Sequence, residues 1–160
     1  MIVILTGVAA AGKTTIGERL ARDLGWTFYD ADDVHPAANV EKMRRGESLD
    51  DADRAPWLAA IREIIRAALD HGDNAVVACS ALKESYREML RVAPEVVFVY
   101  LRADPALAET RMARRAGHFM PPTLAKTQFA ALEEPQDALH VNAALPPEAI
   151  VKEIRQRLAL

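Results

Sequence analysis

At 160 residues, 51% of them hydrophobic and 27% charged, the chain has the size of one domain that buries about 70% of its unfolded surface, and its composition excludes a disordered or fibrous protein. A net charge of -3 excludes the broad basic footprint of a general nucleic-acid binder. No stretch approaches the ~20 apolar residues of a membrane span, no charged leader precedes the first apolar run, and the single cysteine, Cys79, allows no intrachain disulfide, so a cytoplasmic protein is expected, with neither nucleic-acid nor membrane partners.

In chain order, short β-rich apolar runs alternate with amphipathic stretches. The runs are IVILT at 2–6, TFYD at 27–30, AVVACS at 75–80, VVFVYL at 96–101 and ALHV at 138–141. Helical spacing covers 13–24, 54–70, 83–92, 104–115, 122–132 and 147–159. This alternation predicts a parallel sheet wrapped by helices, an α/β fold. The helix from Arg54 carries Trp57, Leu58, Ile61, Ile64, Ile65, Ala68 and Leu69 on one face, with Pro56 placed in its first turn, where no amide donor is needed. The segment AGHFMPP at 116–122 interrupts the helical pattern just after basic residues. A lid over about 111–125 is expected there, within one domain spanning 1–160.

The first run leads into GVAAAGKTT, residues 7–15. It matches G-x-x-x-x-G-K-[ST] between a strand and a helix, the context a phosphate-binding loop requires. Its amides and the helix N-terminus converge on an anion site. Gly7, Ala9, Ala10, Ala11, Gly12, Lys13, Thr14 and Thr15 are therefore the expected nucleotide contacts, with Lys13 reaching the β/γ oxygens of ATP and the Thr14 hydroxyl ligating Mg²⁺. Three alanines fill the loop, and a positive φ at Ala10 would cost roughly 1 kcal/mol. Neither N-K-x-D nor a following D-x-x-G is present, which removes the usual supports for a GTPase switch.

Asp30, Asp32 and Asp33 crowd the end of the second run, beside the phosphate loop in an open parallel sheet. If the strand continued, Asp30 and Asp32 would share one face. A kinase acting on an alcohol needs a carboxylate to orient the hydroxyl and take its proton. Asp32 fits that role and Asp30 the waters of Mg²⁺; solvated loop acids or helix caps are the competing use of such residues.

GVAAAGKTT, DADDVHPAANVEKMRRGESLDDADRAPWL (30–58), CSALKESYREMLR (79–91), RRAGHFMP (114–121) and TQFAALEEP (127–135) together resemble the gluconokinase family. The HP-x-x-N-x-x-K-M stretch, the D-D-x-D-R-x-P-W-L stretch and CSALK carry most of that specificity. The resemblance implies ATP-dependent phosphorylation of D-gluconate to 6-phospho-D-gluconate, a three-layer adenylate-kinase-like fold with sheet order 2-3-1-4-5, and a homodimer. It also implies a substrate pocket with cationic and hydrogen-bonding groups, for which His35, Arg54, Lys83, Arg87 and His118 are candidates beside Asp32. By charge pattern alone, Arg54 could instead pair with Asp50, Asp51 or Asp53. Lys83 and Arg87, four apart, could equally line a solvated helix face, and His35 could be a turn residue.

Arg111 and Arg115 lie one helical turn apart before the lid. They are expected to bind ATP and offset charge on the transferred phosphoryl group. The third run ends in Cys-Ser rather than Asp, which leaves Asp30 as the water-mediated metal contact. After Pro135 the chain departs from the family pattern, in the region that contacts adenine in relatives. A kinase of another small hydroxy acid, such as shikimate, and a non-catalytic nucleotide-binding regulator are the alternatives.

Overall fold

Five parallel strands stand in the order β2-β3-β1-β4-β5: β1 Ile2–Thr6, β2 Thr27–Asp30, β3 Ala75–Ala78, β4 Val96–Arg102 and β5 Leu139–Asn142. The computed structural model describes residues 1–114 and 124–160, the side chains of Leu124 and Ala125 excepted. The helices are α1 Lys13–Leu24, α2 Ala37–Arg44, α3 Asp51–Asp70, α4 Glu84–Leu90, α5 Pro105–Ala113, α6 Leu124–Ala131 and α7 Pro147–Leu158. The expected order 2-3-1-4-5 is the observed one. Among the described residues no helix is long and apolar enough to cross a membrane.

The period-two alternation of strand side chains splits the core in two. Val3 and Leu5 of β1, Val76 of β3 and Val99 and Leu101 of β4 pack toward Ile16 and Leu20 of α1 and Ile150 and Ile154 of α7. Ile2, Ile4, Val77 and Phe98 face the other way, toward Trp57, Leu58, Ile61 and Ile65 of α3. Each such buried side chain contributes about 1.5–3 kcal/mol. Because β1 is buried on both faces throughout, its C-terminal end is held from every side, and the phosphate loop starts there. Cys79, just beyond β3, is buried, and burial pushes its thiol up to about 12.

Three local structures differ from the expectation, one of them helix α2 Ala37–Arg44, in a stretch to which the sequence reading assigns no helix. β2 does not continue past Asp30: residues Ala31–Val34 form one 3-10 turn, capped by the Asp30 carboxylate, whose Oδ1 accepts from the Asp32 amide at 3.0 Å. Asp30 and Asp32 are therefore related by a cap and not by strand alternation. Helix α3 begins at Asp51, three residues earlier than the expected start at Arg54. Asp50 and Asp53 form a capping box, with the Asp53 amide donating to Asp50 Oδ1 at 2.7 Å and the Asp50 amide to Asp53 Oδ2 at 2.9 Å. Such reciprocal caps satisfy amides that have no partner within the helix. Arg54 is thus the fourth helical residue, and Pro56 lies inside the helix and not in its first turn.

The capping box also anchors α2. Lys42 Nζ donates to Asp53 Oδ2 at 2.7 Å, and the buried Asn39 donates through Nδ2 to the Asp53 carbonyl at 2.8 Å. One turn further along α3, Trp57 Nε1 donates to the Ala31 carbonyl at 2.7 Å, fastening the 3-10 turn to the sheet-facing side of the helix. Trp57→Phe should retain the apolar contact yet leave that buried carbonyl unpaired. Urea denaturation should show a loss of about 1–3 kcal/mol with an unchanged slope.

Candidate functional site

The phosphate loop turns back on itself through Gly7 at φ 142, Ala10 at φ 62 and Gly12 at φ 101. Gly7 is required sterically as well: a Cβ there would lie 2.8 Å from the Leu101 carbonyl oxygen. Ala10 adopts the left-handed conformation in spite of its methyl group, at a cost of roughly 1 kcal/mol. Its backbone is held by Arg111 of α5, whose Nη1 donates to the carbonyls of Ala10 and Ala11 at 3.3 and 3.4 Å, while Nη2 reaches the Ala143 carbonyl at 2.8 Å. Lys13 Nζ lies over the mouth of the loop, donating to the carbonyls of Gly7 and Val8 at 3.0 and 2.9 Å. From α6, the buried Gln128 accepts the Ala9 amide on Oε1 at 2.6 Å.

A cleft of about 440 Å³ opens above this loop. Its floor is residues 9–15, one wall holds Asp30, Asp32, His35 and Arg54, and the other holds Arg111, Ala143 and Leu145. The Thr14 hydroxyl donates to Asp30 Oδ2 at 2.7 Å. A hydroxyl beside one carboxylate at the end of a phosphate cradle is the donor set that suits Mg²⁺, a cation that keeps several waters and arrives with nucleotide phosphates. No cluster of three His, Cys, Asp or Glu side chains that would form an all-protein metal cage occurs among the described residues.

On the wall that holds Asp32, His35 stacks on Trp57 with ring centroids 4.3 Å apart and planes 5° from parallel. Burial, reinforced by the nearby Arg54 cation, lowers its pKa to about 4, so the ring is neutral near pH 7. Its Nδ1 lies 3.5 Å from Asn39 Nδ2, a donor already oriented by the Asp53 carbonyl. Nδ1 is accordingly the acceptor and Nε2 carries the proton, 3.9 Å from Asp32 Oδ1. A neutral N–H and a carboxylate thus face the cleft together. Arg54 approaches from α3, its Nε 3.4 Å from the Leu49 carbonyl and its guanidinium 5.6 Å from the Tyr86 ring centre.

The structure does not bring Lys83 and Arg87 to this cleft. Lys83 pairs with Asp51 at 2.8 Å, and Tyr86 donates to the same carboxylate. Arg87 is almost wholly buried, its side chain 1% exposed. It donates to the carbonyls of Ala81, Leu82 and Glu133 at 2.9, 3.1 and 2.8 Å and to Glu84 at 2.6 Å. Ala81 sits at φ 37, so Arg87 holds an unfavourable turn and ties the β3–α4 loop to the chain leaving α6. The helical spacing of Lys83 and Arg87 is compatible with a cleft or with such a staple, and only contacts distant in sequence select the staple. Arg115, His118 and most of the lid expected over 111–125 lie outside the described residues.

Three site residues escaped the sequence reading. Periodicity places Trp57 in the core, although its indole N–H and ring face also orient the 3-10 turn and His35. Asn39 stood within the restrictive HP-x-x-N stretch without a role. Gln128 is neutral, and nothing in charge or spacing marks it.

A family model described as shikimate kinase matches residues 9–159. A gluconokinase of Gluconobacter oxydans is 43% identical over 156 residues, covering 95% of this chain and 88% of that protein. Among solved structures, a sugar kinase from Janibacter sp. HTCC2649 superposes with a TM-score of 0.92 at 38% identity, over 99% of this chain and 94% of the other. A gluconokinase from Sinorhizobium meliloti 1021 does so at 0.87 and 41%, over 98% and 90%.

The neutral His35 has a consequence for stability. The unfolded chain protonates it near 6.5 and the folded chain only near 4, so between those values the unfolded state binds more protons. The contribution of His35 is intact above about pH 6.5 and is lost as pH falls toward 4. Urea midpoints measured at pH 7 and pH 5 should fall less in His35→Phe than in the wild type.

Proposed function

Because the chain belongs to the gluconokinases, within the shikimate-kinase type of phosphate-loop kinases, we propose that it transfers the γ-phosphoryl group of ATP to the 6-hydroxyl of D-gluconate. The observation that carries this reading is the placement of Asp32 and Arg54 on the wall of the same cleft whose floor is the phosphate loop. Donor and acceptor sites then share one cavity, which removes most of the entropic cost of bringing the two substrates together.

In the proposed reaction the loop amides and Lys13 bind the triphosphate. Asp32 orients the acceptor hydroxyl and takes its proton as the oxygen attacks. The new O–P bond forms in line with the bond that breaks, and the β-phosphate oxygen leaves on ADP. Arg54 and the His35 N–H suit the carboxylate and hydroxyls of a sugar acid. Thr14 and, through water, Asp30 would hold Mg²⁺, which neutralises charge on the β- and γ-oxygens when bound. Arg111 is proposed to reach the phosphates from its station on the loop, with Arg115 closing over them and His118 contacting the acceptor. Residues 1–160 form a single kinase domain in this reading, and the family resemblance supports a homodimer. A buried, unpaired Cys79 fits the cytoplasm, where thiols stay reduced.

An ADP-coupled assay over a panel of sugar acids and shikimate tests the proposal. Turnover on gluconate with none on shikimate is expected; turnover on shikimate alone would sink it. Asp32→Asn should lower kcat roughly 10²- to 10⁴-fold, while ATP affinity, measured by calorimetry, stays near the wild-type value.

A further inference from the structure

The Ala9 amide that Gln128 holds belongs to the same peptide unit as the Val8 carbonyl. That carbonyl accepts the Lys13 ammonium at 2.9 Å and the Ala11 amide at 3.2 Å. A peptide unit is planar and trans, so its N–H and C=O point in opposite directions and turn together. Gripping the N–H from α6 therefore sets the direction of the oxygen that receives Lys13.

The rest of the loop is braced separately. Arg111 holds the carbonyls of Ala10 and Ala11, and the Cβ-sized gap at Gly7 is closed by the Leu101 carbonyl. Neither contact fixes the Val8–Ala9 peptide against rotation about its flanking bonds. Alanine at position 9 populates fewer conformations than glycine would, yet it does not select one; the Ala11 amide holds the carbonyl end of the peptide at 3.2 Å, and the buried Gln128 holds its N–H end at 2.6 Å.

We propose that Gln128 is a positioning residue for Lys13, acting through the Val8–Ala9 peptide. This rests on the kinase reading above, in which Lys13 carries the β/γ oxygens. Without Gln128 the peptide is restrained only at its carbonyl end, by the Ala11 amide, so the station of the Val8 oxygen loosens and the ammonium is delivered less precisely. A misplacement of an ångström in such a group costs on the order of 10²-fold in rate.

Gln128→Met keeps the length of the side chain and removes the acceptor. Its kcat with ATP and gluconate should fall about tenfold or more, with the KM for gluconate nearly unchanged. By calorimetry it should weaken ATP binding several-fold in the wild-type background and leave it unchanged in Lys13→Met, where there is no ammonium to place. Equal losses in both backgrounds, or a wild-type kcat, would overturn the proposal. Should Gln128→Met fail to fold, Gln128→Glu decides, because it retains an acceptor oxygen at the same reach. Its Ala9 amide should exchange with solvent deuterium as slowly as in the wild type, and free exchange in either protein refutes the grip. Absence of gluconate turnover by the wild type would sink the kinase reading alone, leaving the exchange and calorimetric results to be read independently.

Discussion

One carboxylate joins the two halves of the cleft. Asp30 receives the Thr14 hydroxyl on one oxygen and the Asp32 amide on the other, so the first turn of α1 and the 3-10 turn of the wall that holds Asp32 are fixed to a common point. The point itself is the last residue of β2, paired with Ala78 of β3, and it inherits the rigidity of the sheet. Phosphoryl transfer depends more on position than on covalent participation of the protein. A bridge only two hydrogen bonds long between the phosphate loop and the wall that carries Asp32 is an economical way to hold that position.

Behind the bridge, side chains from separated stretches interlock. Asp53 is at once the third residue of a capping box, the ion-pair partner of Lys42 and the carbonyl that orients Asn39. Asn39 in turn selects the tautomer of His35, and Trp57 supports both His35 and the 3-10 turn. The restrictive HP-x-x-N-x-x-K-M and D-D-x-D-R-x-P-W-L stretches are thus two sides of one interface, and a change on either side leaves a polar group of the other without its partner. Arg87 and Glu133 form a similar join between the CSALK and LEEP stretches: the arginine binds the Glu133 carbonyl, and the Glu133 carboxylate accepts the Glu84 amide at the start of α4.

The strands and the phosphate loop were legible because their signals are local. A buried parallel strand is a short apolar run, and the loop is a fixed spacing of glycines, lysine and threonine. The start of α3 was not, since its caps are aspartates that precede the apolar stripe and that also suit a solvated loop. The 3-10 turn after Asp30 was hidden for the same reason: alternation along a strand and a capped turn place carboxylates at the same sequence spacing. Arg87 shows the limit for charged residues. Its three carbonyl partners come from two segments that meet only after the sheet has formed, so its charge suggested a ligand where the fold uses it as a staple.

The lone thiol, between the cleft-lining Ala78 and Ser80 in sequence, is buried, and burial pushes it away from ionisation, which disfavours the reactive anion. Peroxide and disulfide exchange find nothing to attack in it. The thiol therefore adds no oxidation-sensitive group to the surface of the cleft, whose lining holds Ala78 and Ser80 on either side of it.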